Sequence, residues 1–155
     1  MKHLIALLIV FAGFPLAAQE KELRLVVSKS EFTITAFRGD SAVARYPIAV
    51  GKNPGDKQRR GDNRTPVGEF RVSRIHKSDS WVHDFGDGNG PIAGAYGPWF
   101  LRLDTGRWTG IGIHGTHDPA SIGTMATEGC IRLLNGDLEE LKAMVAVGTR
   151  VLIVR

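Results

Sequence analysis

Hydrophobic and polar residues alternate along much of the chain, which is the period of strands that bury one face. Residues 31–38 show this most clearly, and residues 23–27 precede them across a short polar break. The two runs predict a hairpin. A turn at residues 39–40 leads to a third predicted strand, 43–51, in which Pro47 favours a sheet edge or a bulge. The first third of the chain is therefore predicted to be an antiparallel meander.

Later parts of the chain repeat the strand pattern between polar stretches. Further strands are predicted at residues 69–75, 99–103, 110–114 and 151–154. The polar, basic stretch 52–64 predicts a solvated loop, and the glycine-rich stretch 84–94 predicts a loop that borders a site. Many short strands indicate a mainly β fold, either a sandwich or a partly closed barrel.

One segment near the C-terminus has helical spacing instead. Apolar residues recur there at intervals of three or four, at Leu138, Leu141 and Val145. Asp137 followed by Glu140 resembles a capping box, and Gly148 favours an end to the run. The sequence therefore predicts one clear helix near the C-terminus.

The first residues have the pattern of an export signal. A basic start at Lys2 is followed by an uncharged apolar run, 4–12, and by small residues that end at Ala18. This pattern predicts a signal peptide over residues 1–18 and one domain over residues 19–155. The apolar run is shorter than the roughly 20 residues that cross a bilayer, so we expect no permanent membrane anchor.

The net charge of the chain and its predicted export limit the classes of partner that we expect. The formal net charge is +4, and loss of Lys2 with the leader leaves the mature chain basic. A basic surface suits an anionic or carboxylate-bearing substrate. We expect the chain to be secreted across the inner membrane, to the periplasm or cell wall. Nucleic acid is not an expected partner there.

Cys130 is the one cysteine of the chain, so it cannot form an intrachain disulfide. On that count alone, an inert buried thiol and a functional thiol are equally good interpretations. The neighbours favour function. Gly129 allows a close backbone approach with amides directed at an oxyanion, and the Arg132 guanidinium favours a thiolate or holds a carboxylate.

His114 lies sixteen positions before Cys130 and ends a predicted strand. Taken alone, a structural histidine is the commoner interpretation. An imidazole that takes the thiol proton would make Cys130 an efficient nucleophile, provided that a third group orients the ring. The glycine at position 115 gives the backbone after His114 the freedom to place it.

The segments 113–116 and 127–133, with sequences IHGT and TEGCIRL, resemble the active-site signature of L,D-transpeptidases of the YkuD type. Residues 61–70 and 148–151 are similar to further blocks of that family, so the resemblance spans nearly all of the predicted domain. It implies a YkuD-like catalytic domain over residues 19–155.

The resemblance also implies roles for single residues. Cys130 would be the nucleophile, His114 the general base, and the Gly115 carbonyl the group that orients the imidazole. Amides around Gly129 and Cys130 would form the oxyanion hole.

Two further positions complete the implied site. Thr127 belongs to the same oxyanion and substrate-binding set, and Arg132 would bind substrate or support the site. The chain departs from many family members at Glu128, where they have histidine or lysine. We expect this carboxylate to face outward or to bind a substrate amine.

The activity implied is that of an exported transferase that cross-links and remodels peptidoglycan through a cysteine acyl-enzyme. The donor would be a stem tetrapeptide that loses its terminal D-alanine. Water as acceptor would make it an L,D-carboxypeptidase, a protein lysine is another possible acceptor, and an amidase with the same nucleophile is a further alternative. No cofactor is called for, and a monomer is expected.

Two alternatives belong to other classes. A zinc site could use His114, His117, Asp118 and Cys130, although the loop spacing is unfavourable and no second cysteine is present. We therefore expect no metal. A non-catalytic wall-binding module could instead use the basic loop with the aromatic residues Tyr96, Trp99 and Trp108.

Overall fold

The computed structural model describes residues 21–155. The predicted signal peptide, residues 1–18, lies outside them and stays a prediction. Twelve strands are present in this part of the chain: β1 Leu23–Ser28, β2 Thr33–Arg38, β3 Ser41–Pro47, β4 Val50–Gly51, β5 Gly68–Lys77, β6 Val82–Asp84, β7 Pro91–Ala93, β8 Trp99–Asp104, β9 Gly112–His114, β10 Met125–Thr127, β11 Ile131–Arg132 and β12 Arg150–Val154. The fold is mainly β, as predicted.

Helical structure in the described chain is limited to α1, Asn135–Met144, and a short 3₁₀ helix, Pro119–Ser121. Neither is long and apolar enough to cross a membrane. The apolar face of α1 is predicted correctly, because Leu138 and Leu141 are fully buried. The predicted capping box is wrong. The helix begins at Asn135 without a side-chain cap, and Asp137 lies inside the first turn, where its charge favours the helix dipole.

Eight strands form one sheet in the order β11-β9-β8-β5-β12-β1-β2-β3. The meander β1-β2-β3 is antiparallel, as predicted, and Pro47 ends the edge strand β3. Directly after this edge, Ala49 exchanges two backbone hydrogen bonds of 2.8 and 2.9 Å with Arg132 on the opposite edge strand, β11. The sheet therefore curls back on itself into a half-barrel.

The predicted loop over residues 84–94 is partly regular structure. Its ends belong to β6 and β7, which pair as an antiparallel ribbon. Three residues per strand are too few to show a period in the sequence. Phe85, in the turn of this ribbon, lines the same cavity as Cys130 and His114, so this loop borders the candidate site as expected.

Parallel pairing between β9 and β11 determines where the candidate residues lie. Ile131 is in register with Ile113, and Arg132 with His114. Ile113 and Ile131 are fully buried in the same apolar core, and burying such side chains contributes about 1.5–3 kcal/mol each. The core thus fixes the end of β9 beside the start of β11, which brings His114 close to the residue before β11, Cys130.

Candidate active site

Cys130 and His114 line one cavity of about 290 Å³. Thr127, Glu128 and Arg132 line it as well, so the cavity collects the polar residues on either side of the cysteine. The histidine and the cysteine are sixteen positions apart in the sequence, and the pairing of β9 with β11 brings them together in space. The arrangement can present a thiol and an imidazole to one bound substrate.

The His114 ring is buried and held on three sides. Its Nδ1–H donates to the Gly115 carbonyl oxygen at 2.6 Å. Phe100 lies parallel to the ring at 5.5 Å between centroids, and Tyr96 meets it edge-on at 4.9 Å. Because a carbonyl can only accept a hydrogen bond, Nδ1 carries the proton of the neutral ring. The other nitrogen, Nε2, therefore has the free lone pair that a general base needs.

Burial is the main cause that lowers the pKa of His114 to about 3; the Gly115 carbonyl opposes this effect and the Arg132 charge adds to it. The imidazole is consequently neutral near pH 7. A neutral ring can accept a proton, whereas an imidazolium cannot.

The Cys130 residue is partly exposed, and its thiol donates to the Gly110 carbonyl oxygen at 3.3 Å. Although the residue is partly exposed, desolvation of its sulfur by the surrounding protein raises the pKa of the Cys130 thiol to about 11. The Glu128 charge acts in the same direction, whereas the Gly112 amide and Arg132 lower the pKa. The resting site therefore holds a neutral thiol and a neutral imidazole, and a thiolate would form only by loss of the thiol proton to a base.

The turn before Cys130 is fixed by Thr127. Its hydroxyl donates to the Cys130 carbonyl oxygen at 2.7 Å and accepts the Gly129 N–H at 3.1 Å. Gly129 has a φ of 133°, and a Cβ there would lie 2.9 Å from the Arg64 carbonyl oxygen. A side chain at position 129 would therefore disturb the turn. Because the Gly129 amide is used within the turn, we expect the Cys130 amide to be the oxyanion donor.

The Arg132 guanidinium is almost fully buried and reaches the cavity. Its Nη1–H donates to Ser121 Oγ at 2.9 Å, and its Nε–H has no partner among residues 21–155. Burial lowers the pKa of Arg132, and the charge of Asp118 opposes this effect. A buried cation with an unused donor is well suited to an anionic ligand.

Glu128 borders the cavity and is about half exposed. Its Oε2 accepts a hydrogen bond of 2.9 Å from His83 Nε2 in strand β6. The carboxylate therefore does not turn fully away from the site, and its charge disfavours the Cys130 thiolate.

Two side chains of the predicted solvated loop are buried, which makes that prediction wrong for part of the loop. Lys57 Nζ contacts Asp62 Oδ1 at 2.7 Å, with both side chains less than a tenth exposed. Burial raises the pKa of the Asp62 carboxyl, but the bond from Lys57 and backbone bonds from Gln58, Arg59 and Arg64 outweigh it and hold the pKa far below its usual value. Lys57 lines the cavity, so this ion pair shapes one wall of the site.

Asn135, the first residue of α1, is a further residue of the site that no pattern in the sequence indicates. Its Oδ1 accepts the Thr116 N–H at 2.8 Å and so ties the loop after His114 to the helix. A Cβ at Gly115 would collide with the same oxygen. The glycine is therefore needed for space, and the sequence alone carries no signal for this long-range contact.

The described part of the chain does not support the zinc alternative. His117 Nδ1 lies 3.1 Å from the Ala95 carbonyl oxygen, and the ring stacks on Phe85 at 5.1 Å. Within residues 21–155, no group of three or more His, Cys, Asp or Glu side chains is arranged to hold a metal ion.

Comparison with known proteins gives a family match over most of the chain. The model of the L,D-transpeptidase catalytic domain, YkuD, matches residues 22–153. The chain is 34% identical over 131 residues to a candidate L,D-transpeptidase, YkuD of Bacillus subtilis, covering 84% of this chain and 65% of that protein. Its Bacillus licheniformis counterpart is 36% identical over 128 residues, covering 83% and 63%. The chain thus spans slightly under two thirds of these relatives.

Solved structures show the same fold. The catalytic domain of an L,D-transpeptidase from E. faecium has a TM-score of 0.63 at 23% identity, covering 86% of this chain and 98% of that one. L,D-transpeptidase 3 of Mycobacterium tuberculosis, in complex with a faropenem-derived adduct, has a TM-score of 0.66 at 20% identity, covering 86% and 60%. On its match over residues 22–153, the chain belongs to the YkuD family of L,D-transpeptidase catalytic domains.

Proposed function

We propose that the protein is an exported L,D-transpeptidase that acts on peptidoglycan stem peptides through a Cys130 acyl-enzyme. The observation that carries the proposal is the placement of the Cys130 thiol and the neutral His114 imidazole in one cavity. The nearby Arg132 guanidinium adds a group for a substrate carboxylate. Family membership supports the same reaction class.

In the first half-reaction, Cys130 Sγ attacks the carbonyl carbon that precedes the terminal D-alanine of the donor. Nε2 of His114 takes the thiol proton as the carbon–sulfur bond forms. The Cys130 amide donates to the developing oxyanion. When the carbon–nitrogen bond breaks, the imidazolium returns its proton to the amine of the departing D-alanine, which leaves a thioester on the enzyme.

Arg132 is the candidate for binding the donor carboxylate. Its buried guanidinium has an unused Nε–H in the described chain and lies in the cavity that holds the thiol. A carboxylate can accept two parallel hydrogen bonds from such a group. Binding there would place the donor next to Cys130 and compensate the cost of burying the cation.

The second half-reaction transfers the acyl group to an amine of another stem peptide. Water in that place would make the protein an L,D-carboxypeptidase, and a protein lysine would make it an anchoring enzyme. The non-catalytic module is less well supported. Two of its aromatic residues have internal partners, since Tyr96 packs against His114 and Trp99 Nε1–H donates to Glu139.

The test is to incubate the protein with stem tetrapeptides and to identify the products by mass spectrometry. We expect released D-alanine and a cross-linked dimer, and neither product from the Cys130→Ala variant. Faropenem, for which an adduct is named in the mycobacterial structure, should also modify the protein. Normal turnover by Cys130→Ala would exclude the proposed mechanism.

A further inference from the structure

We propose that Glu128 is the specificity-determining residue for the acyl acceptor, where it binds the ammonium group of the incoming amine. The inference rests on the proposed transferase function and assigns a residue to its second substrate. It is carried by the charges around the cavity and by the way in which Glu128 is held.

The charged side chains that line the cavity include both signs. Lys57, Arg60 and Arg132 supply the cations, and Glu128 is the acidic residue among the described lining. The Lys57 charge is already matched by Asp62. A donor carboxylate therefore fits Arg132, whereas an ammonium group fits Glu128. The two charges would let the cavity discriminate between a carboxylate of the donor and an ammonium group of the acceptor.

The Glu128 charge makes the first half-reaction less favourable. Its negative charge raises the pKa of the Cys130 thiol and so disfavours the thiolate that attacks the donor. A glutamine of the same size would avoid this cost. Recognition of the second substrate gives the carboxylate a use that offsets it.

The carboxylate is also oriented in advance. His83 donates from Nε2 to Glu128 Oε2 at 2.9 Å. The His83 ring is in turn held by Phe85, at 4.5 Å between centroids, and by Tyr96 at 5.5 Å. The hydrogen bond uses Oε2, so Oε1 can accept a bond from a ligand. Preorientation of this kind lowers the entropic cost of binding.

An acceptor bound as an ammonium ion loses one proton to His114, and its nitrogen attacks the thioester carbonyl. The new carbon–nitrogen bond forms as the carbon–sulfur bond breaks. The imidazolium returns its proton to the Cys130 sulfur, and the amide nitrogen releases its remaining extra proton to solvent. Glu128 holds the acceptor and exchanges no proton.

The test uses the Glu128→Gln variant, because a glutamine oxygen can still accept the bond from His83 while the charge is removed. The donor is a stem tetrapeptide. Two acceptors are compared, a stem peptide with a free side-chain amine, which is cationic near neutral pH, and hydroxylamine, which is largely uncharged there. The measured quantity is the ratio of the acceptor KM values, cationic over uncharged.

We expect Glu128→Gln to raise this ratio on the order of tenfold, the loss of about one charge-assisted hydrogen bond. Glu31→Gln is the matched control, because it removes a charge from an exposed surface pair with Arg45, and its ratio should equal that of the wild type. An unchanged ratio in Glu128→Gln, with a wild type that forms the amide, overturns the role of Glu128 alone. A wild type that releases D-alanine but forms no amide with either acceptor overturns the transferase function as well.

Discussion

Replacement of Asp62 by asparagine should destabilise the protein strongly, because four donors converge on its carboxylate. Oδ1 accepts from Lys57 Nζ at 2.7 Å and from the Arg64 amide at 3.1 Å, and Oδ2 accepts from the Gln58 and Arg59 amides at 2.7 and 3.1 Å. An asparagine oxygen can replace one carboxylate oxygen. Its NH₂ group would then face two N–H donors and leave the buried Lys57 without a counter-charge.

The magnitude follows from these losses. Breaking a buried ion pair by removing one partner costs about 3–5 kcal/mol. The Gln58 and Arg59 amides are exposed and can bond to water instead, so they add little. We therefore expect a loss of about 4 kcal/mol, a large share of the 5–15 kcal/mol that is typical of a domain. The assay is urea unfolding at neutral pH, followed by tryptophan fluorescence.

The pH dependence has a definite sign. Because the pKa of folded Asp62 lies below its usual value, its contribution to stability is present above the unfolded pKa of about 3.9 and is lost as the pH falls through the folded pKa. The stability gap between wild type and Asp62→Asn should therefore narrow in acid. Asp40→Asn, at an exposed turn, is the control and should change stability by less than about 0.5 kcal/mol. A loss under about 1 kcal/mol for Asp62→Asn would refute the buried pair.

Three further predictions concern the chemistry. His114→Ala should lower the rate by a factor on the order of 100 to 10,000, measured as D-alanine release, whereas His117→Ala should cost much less; equal losses would contradict the assignment of the base. Arg132→Lys should raise the donor KM, because lysine keeps the charge but loses the planar two-point contact; unchanged donor dependence would contradict the carboxylate role. Glu128→Gln should shift alkylation of Cys130 by iodoacetamide to lower pH, since that charge raises the thiol pKa; an alkaline shift would contradict the electrostatics.

Local patterns in the sequence were enough to predict the strands in which apolar and polar residues alternate, and the apolar face of helix α1. The meander β1-β2-β3 and the buried Leu138 and Leu141 follow from periodicity over a few residues. The start of α1 was predicted wrongly because its first residue, Asn135, bonds to the loop after His114 instead of capping the helix. That choice depends on a contact 19 residues away.

Pairing between distant segments could not be predicted in the same way. The parallel ladders β9-β11 and β1-β12, and the closure through Ala49, depend on how the whole sheet curls. The residues 52–64 have the composition of a surface loop, and nothing in a run of charges shows that Lys57 and Asp62 are buried against each other. The bond between His83 and Glu128 joins residues 45 positions apart.

The most direct test of the central claim is the intact mass of the protein after mixing with faropenem, followed by peptide mapping. We predict one covalent adduct, located on Cys130, with no adduct on the Cys130→Ala variant and slower formation on His114→Ala. Donor tetrapeptide should protect the thiol from the adduct. Modification at another residue, or an adduct of equal yield on Cys130→Ala, would contradict the Cys130 acyl-enzyme.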